Sequence, residues 1–437
     1  MKKVLLIGSG AREHAIGEAL TRSLQGCELF VYGSARNPGL LALARDYEVG
    51  SLANLEAMAR FAEKVGPDFA VVGPDNPIAD GAADALAILD IPSVAPLKTL
   101  ARLESSKAFA RDIMVKYGVP GAPKFKVFTE PEGLLEFIQE LGDYVVKADG
   151  LMGGKGVKVS GEHLATFEEG HAFALECLFA DGRVLVEEKF IGQEFSLMSF
   201  VDGTHVVDMP VIQDHKRAYE GDTGPNTGGM GTWSGMDGSL PFLTAQDLAD
   251  AHEITVQMAK ALHEETGHLY KGIMYGGFIA VRDGVRLIEY NARFGDPEAM
   301  NALTLLKTDF IAICEAIIAG TLDQLNIEFE NAATVLKYVV PSGYPDAPIK
   351  GEKVLPPSVL PEGVSMYYAS VDSTAEGLIL GGSRALAFIA KGPSLEAAEK
   401  LVEAAACAVE GPVFHRKDIG TAPLIEVRME QMRRLRT

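Results

Sequence analysis

Short apolar runs closed by glycine alternate with helix-length segments along the first quarter of the chain. Val4 to Ile7 is apolar at every position and stops at Gly8, and ELFVYG, FAVVGP and IPSVAP repeat the form further on. Runs that short, with no polar alternation, predict parallel strands covered on both faces by helices. Residues 1–102 are therefore expected to form a small doubly wound, Rossmann-like sheet, with Gly8, Asn37 and Gly73 at the strand ends where ligands bind.

The rhythm then changes. ESSKAFARDIMVKYGVP predicts a helix capped by Ser105 or Ser106 and closed by Gly118 and Pro120. DYVVKADGLMGGKGVKVS predicts two strands joined by a glycine-rich loop, and RVLVEEKFIGQEFSLMSFVDG two more with a break at Gly192. A helix over about 244–266, a hairpin turning at Asp283-Gly284 and an amphipathic helix ending at Gly320 complete a central α/β unit over 103–330, whose lid subdomain spans about 120–193. From 331 to 437, apolar runs around proline-rich turns predict a β-rich closing unit. One stretch fits nothing: DHKRAYEGDTGPNTGGMG, residues 214–231, carries five glycines and shows neither a helix face nor a strand pattern.

At 437 residues the chain exceeds one core, and a net charge of −20 opposes binding to nucleic acid or an anionic membrane. An anionic substrate then requires cations gathered locally. Four dispersed cysteines predict reduced thiols and lend no support to a structural zinc site. MKKVLLIGSG is a strand, not a leader, and no apolar run approaches the roughly 20 residues of a membrane span. A cytoplasmic protein, monomeric or a small homo-oligomer, is expected.

Four motifs carry candidate chemistry. Gly8-Ser-Gly10-Ala-Arg12-Glu13 opens a helix after a strand, a seat for phosphate, but Glu13 stands where a dinucleotide fingerprint needs Gly or Ala and no acid closes the second strand. KADGLMGGKG departs from a Walker A loop at Asp149 and Gly156; Lys147 on the strand and Lys155 on the loop can instead close over a triphosphate. In VEEKFIGQEFS, Glu187, Glu188 and Phe190 can offer edge backbone groups to adenine, with Glu194 accepting from ribose. In IEYNARFGDPE, Glu289 and Asn291 are two apart and share a strand face, which suits a hard cation such as Mg²⁺; Arg293 follows on that face. HEETGH spaces its histidines five apart and is no zinc-protease motif.

In this order the lysine loop, the E-E-x-x-x-G-x-E hinge and the E-x-N strand resemble the ATP-grasp superfamily. DHKR with GDTGPNTGGMG, NARFGDPE, GSGAREHA, ESSKAF and HRKDIG makes the chain similar to the glycinamide ribonucleotide synthetase family from Val4 to Gly420. The resemblance implies a Rossmann-like (pre-ATP-grasp) domain, a two-part ATP-grasp domain and a β-rich C-terminal domain. It implies ligation of glycine to 5-phosphoribosylamine with ATP, through a glycyl phosphate, using Mg²⁺ or Mn²⁺ on Glu289 and Asn291. ATP would meet Lys107, Lys147, Gly153, Gly154, Lys155, Gly156, Glu187, Glu188, Phe190 and Glu194. Lys147, Lys155, Asp214, Lys216 and Arg293 would serve catalysis, Asp214 taking the glycine ammonium while Lys216 and Arg217 face phosphate or developing charge. Pro225, Asn226, Thr227, Gly228, Gly229 and Asp296 would line the substrates, and Gly10, Arg12, Asn37, Gly39 and Asp75 would hold the phosphoribosylamine. The segments ARNPG, Gly73-Pro74-Asp75 and Ala95-Pro96 depart from the family pattern, as Met152-Gly153 does in the flap. Rival readings are another ATP-grasp carboxylate-amine ligase with a related nucleotide acceptor, a nucleotide-binding oxidoreductase, and a non-catalytic ATP sensor.

Overall fold

The structure, a computed structural model, describes residues 1–151, 156–375 and 377–437. The first sheet is parallel, in spatial order Ala44–Val49, Cys27–Gly33, Lys2–Ile7, Phe69–Val72, Ser93–Val94. Val4 to Ile7 are 0% exposed, so both faces of the central strand are covered, which explains a run with no polar alternation. Asn37 caps the helix Pro38–Leu43, its side-chain oxygen accepting from Gly39 and Leu40.

Two antiparallel sheets follow. The base orders Val206–Asp208, Gln193–Val201, Gly272–Val281 and Gly284–Asn291. The lid orders Phe125–Phe128, Val184–Glu188, Tyr144–Ala148 and Val157–Val159. The helices Leu134–Leu141 and Phe167–Asp181 back the lid around a core of its own, including Phe128, Ile138, Tyr144, Val146, Leu178 and Val186. A separate core lets such a unit shift as a body. Residues 189–192 strap lid to base, and a Cβ at Gly192 would lie 1.9 Å from the Ala280 carbonyl oxygen. Only glycine fits that close approach.

Three expectations change. The polar segment does contain strands: Gln213–Asp214 and Gly231–Ser234, and between them the hairpin Arg217–Tyr219 with Thr223–Asn226. Gly231–Ser234 pairs with Ala333–Pro341 in the closing sheet, whose order is Gln213–Asp214, Gly231–Ser234, Ala333–Pro341, Leu386–Gly392, Val364–Tyr368. Partner backbone, not hydrophobic alternation, defines these strands. The helix expected up to Gly320 is two, Glu298–Leu305 and Phe310–Ala319, because Asp309 caps the second by accepting from the Ile311 amide at 2.9 Å. The closing unit also carries the helices Leu395–Cys407 and Ala422–Arg436. Among the described residues no helix is long and apolar enough to cross a membrane.

Candidate active site

Lys147 sits on the lid strand Tyr144–Ala148 with its ammonium buried against Glu187 on the neighbouring strand. Arg111, on the helix Lys107–Tyr117, grips the same carboxylate through Nε at 3.0 Å and Nη2 at 3.3 Å. Burial alone would raise the Glu187 carboxyl, but Arg111 and Lys147 hold it below its usual range. The Glu187 side chain therefore positions two cations, and its backbone lies between paired strands, opposite Phe125 and Val145, not at an edge. In the strap, Phe190 and Ile191 make no backbone hydrogen bond among the described residues, leaving peptide groups free at that edge. Glu188 accepts from the Lys124 amide at 2.7 Å, and the exposed Glu194 carboxylate lies 3.6 Å from Lys216.

The glycine-rich loop starts from a pinned residue. Asp149 accepts from Ser106 Oγ at 3.1 Å and from the Ala108 amide at 2.9 Å, and it pairs with Arg183 at 2.8 Å. Lys107 donates to the Gly150 carbonyl at 2.8 Å, and beyond the loop the Gly156 carbonyl accepts from the Ala148 amide at 2.8 Å. Gly153, Gly154 and Lys155 lie outside the described residues.

The strand Gly284–Asn291 is irregular where the chemistry gathers. Its register against Gly272–Val281 runs Phe278↔Leu287 and then Gly277↔Glu289, so Ile288 is an extra residue, a β-bulge. The bulge turns the Ile288 carbonyl outward, where Arg111 donates to it at 2.7 Å and Lys147 at 3.1 Å. Beyond it, Tyr290 is buried while Glu289 and Asn291 share the half-buried face predicted for them. The Glu289 carboxylate has no hydrogen-bond or ion-pair partner among the described residues. Burial would raise it, yet Lys216, Lys147, Lys107 and Arg293 hold it below its usual range. An ionised carboxylate left open beside an amide oxygen is a donor set that fits a hard divalent cation.

Arg293 continues that face. It pairs with buried Glu104 at 3.0 Å and donates to Asn291 Oδ1 at 3.1 Å, while its Nε is buried with no partner among the described residues. Arg12, from the first sheet, and Arg293 each donate to the Phe294 carbonyl at 3.2 Å, which joins the strand-end crevice of that sheet to the cleft.

On the other side lie two carboxyl groups. Glu298 is 2% exposed and accepts from Tyr275 at 2.6 Å and Ser196 at 3.0 Å. Burial pushes Asp214 well above the usual carboxylate range, and the negative Glu298 adds to it, Lys216 and Arg384 opposing. A Cβ at Gly229 would lie 2.7 Å from Asp214 Oδ1, so the glycine keeps this pocket open. Thr227 closes the loop by donating to the Lys216 carbonyl at 2.9 Å. Pro225 and Asn226 belong to the hairpin strand Thr223–Asn226. Asp296 Oδ1 accepts from Tyr338 at 2.6 Å and meets Arg384 at 3.2 Å, so this oxygen anchors the closing sheet. Arg217 pairs with Glu162 of the lid at 2.6 Å and donates to the Gly224 carbonyl.

In the first sheet the Glu13 carboxylate fills the crevice. It accepts from the Gly10 amide at 2.6 Å and from Arg12, and a Cβ at Gly8 or Gly73 would meet it at 2.6 or 2.1 Å. Glu13 thus takes the Gly10 amide that a dinucleotide pyrophosphate would use, against the oxidoreductase reading. Asn37 is fully buried and saturated: beyond capping, it donates to the carbonyls of Ser9 at 3.0 Å and Tyr368 at 2.7 Å. Gly39 packs on His14, whose ring a Cβ would meet at 2.0 Å. The Asn37 side chain and Gly39 thus pack the crevice against the segment at Tyr368 and against His14. Asp75 opens the helix Asp75–Asp80 at the rim.

The two-sheet cleft, with cations from lid and base around Glu289, defines an ATP-grasp enzyme architecture. Residues 2–104, 105–299 and 334–422 match the N, ATP-grasp (A) and C domains of phosphoribosylglycinamide synthetase. The chain belongs to the phosphoribosylglycinamide synthetase family. It is 46% identical over 434 residues to a phosphoribosylamine–glycine ligase of Methanosarcina acetivorans, covering 99% of this chain and 98% of that one. The crystal structure of phosphoribosylamine–glycine ligase from Thermotoga maritima superposes with a TM-score of 0.80 at 30% identity, covering 95% of this chain and 99% of that one. At 18% identity, a biotin carboxylase domain of Hydrogenobacter thermophilus crystallised with MgADP shares the fold, with a TM-score of 0.72 over 99% of this chain and 94% of that one. The resemblance read from the motifs is thereby borne out across all three units.

Glu298 closes IEYNARFGDPE, Ser196 closes VEEKFIGQEFS and Glu104 opens ESSKAF, but none of these motifs displays their burial or their partners. Tyr275, Arg111 and Arg384 fall outside the motifs, and their pairings exist only in the fold.

Proposed function

We propose that the chain joins glycine to 5-phosphoribosylamine, with ATP converted to ADP and phosphate and glycinamide ribonucleotide as product. The observation that carries this reading is Glu289, an open carboxylate ringed by Lys107, Lys147, Lys216 and Arg293, with the Asp214 and Glu298 pair beside it. Four cations suit a transferring phosphoryl group, and two carboxyls that repel one another suit an ammonium.

In this reading Glu289 and Asn291 hold Mg²⁺, or Mn²⁺ in its place, which neutralises phosphoryl charge when bound. Asp214 and Glu298 hold the glycine ammonium, so that its carboxylate points toward the cations. Lys147, kept rigid by Glu187 and the Ile288 carbonyl, and Arg293, whose Nε has no partner among the described residues, stabilise the charge that develops as the carboxylate attacks the terminal phosphorus. Arg12, Asp75 and the Gly10 loop hold the acceptor amine where the glycyl phosphate forms. The lid keeps water from that anhydride until the amine displaces phosphate. Residues 1–102, 103–330 and 331–437 serve as acceptor, nucleotide and closing units.

Phosphate release by the purified chain with ATP, Mg²⁺ and glycine should require phosphoribosylamine. Release driven by bicarbonate, or unaffected by omitting glycine, overturns the assignment. Nucleotide binding with no turnover under any combination would leave the sensor.

A further inference from the structure

In the closing unit, the last turn of the helix Leu395–Cys407 meets the residue after strand Val413–Phe414. Glu403 and Cys407 are four apart and so share one helix face. His415 is brought over them as strand Val413–Phe414 pairs with the end of Ala333–Pro341. His415 Nε2 lies 3.1 Å from Glu403 Oε2 and 3.9 Å from Cys407 Sγ, and Cys407 Sγ lies 3.3 Å from Glu403 Oε1. One ligand atom from each residue falls within 4.8 Å of the others.

Zinc bonds of about 2.0 to 2.3 Å at tetrahedral angles place ligand atoms roughly 3.3 to 3.6 Å apart, close to these separations. A thiolate, an imidazole and a carboxylate together select a borderline-soft divalent ion over magnesium. Buried Lys337 donates to Glu403 Oε2 and Glu399 Oε1, each at 2.7 Å, and to the Lys417 carbonyl at 2.8 Å. Its ammonium offsets one of the two carboxylates and leaves Glu403 Oε1 facing the sulfur. Cys407 is exposed, so an ion has a route in and a fourth position for water.

We infer that Glu403, Cys407 and His415 form a second metal site, separate from the catalytic cleft, for a divalent cation of the zinc type. On binding, the Cys407 thiol gives its proton to solvent as sulfur bonds the ion, and His415 coordinates through Nε2 with its proton on Nδ1. The site clamps the helix to the segment His415–Gly420. There Arg416 pairs with Asp222 at 2.9 Å and Asp418 accepts from the Gly221 amide at 2.9 Å, so the ion stiffens the anchor of the hairpin 217–226.

The test is a Co²⁺ titration of the full chain under saturating Mg²⁺, followed by displacement with Zn²⁺. A thiolate-to-cobalt charge-transfer band at one equivalent, absent in Cys407→Ser and with affinity reduced on the order of tenfold or more in His415→Ala, is expected. Zn²⁺ should also raise the melting temperature of the wild type and leave Cys407→Ser unmoved, the metal-free proteins melting alike. Cobalt binding without a thiolate band, or equal binding by wild type and both variants, overturns the inference.

Discussion

Arg384 donates to the Gly228 carbonyl at 2.7 Å, carrying a guanidinium from the closing sheet to the tip of the reaction loop. The same group bonds the Gly229 carbonyl at 3.0 Å and the Asp296 carbonyl at 2.9 Å, and it stacks 4.4 Å from the Tyr338 ring. All three carbonyls share Nη1 while Nη2 meets Asp296 Oδ1 at 3.2 Å, a second donor nitrogen that lysine lacks. Arg384→Lys should fold, with turnover reduced about a hundredfold by loss of loop placement. Steady-state kinetics beside circular dichroism checks this; unchanged turnover would deny Arg384 a positioning role.

Glu187 and Lys147 should separate stability from rate. Glu187→Gln strands two buried cations and should cost about 3–5 kcal/mol in chemical denaturation. Lys147→Met leaves the Arg111–Glu187 pair standing, so its denaturation midpoint should stay near wild type while turnover falls roughly 10²- to 10³-fold.

Glycine affinity should depend on pH through Asp214. Because its carboxyl is raised, falling pH protonates it before an ordinary aspartate, and a protonated acid attracts an ammonium weakly. The KM for glycine should rise as pH falls through that raised value, and Asp214→Asn should bind glycine poorly at every pH. Isothermal titration calorimetry across pH measures this, and a flat profile in the wild type would remove Asp214 from the ammonium site.

Stability should weaken on the acid side through His14. Burial pushes its imidazole down to about 4, and Nδ1 accepts from the Tyr368 amide at 3.2 Å, which requires the neutral ring. Between about 4 and the ordinary value near 6.5 the unfolded chain binds a proton that the folded one does not, so stability rises with pH in that window. The contribution, on the order of 3 kcal/mol, is present above about 6.5 and lost as pH falls toward 4. His14→Gln should flatten the urea midpoint over that range.

Elements with their own pattern were legible in sequence: the buried strand Val4–Ile7, the Thr244-capped helix Ala245–Thr266, and the shared face of Glu289 and Asn291. That face survives because the bulge at Ile288 adds its residue before Glu289 and leaves the two-residue spacing intact. Strand 231–234 was not legible, since its partner lies about 100 residues away, and strand 213–214 exists only by pairing with it. Asn37 shows a different limit: sequence marks it as a cap but not as the residue that also ties Ser9 to Tyr368.

The strand Gly231–Ser234 lies between Gln213–Asp214 and Ala333–Pro341, so the loop that carries Asp214 and Lys216 is stitched to the last third of the chain. Removing that third would strip the partner from a central strand and bare its edge. Recombination between relatives therefore has to exchange the loop and the tail as one cassette, and the first two units produced alone would leave strand Gly231–Ser234 without its partner Ala333–Pro341.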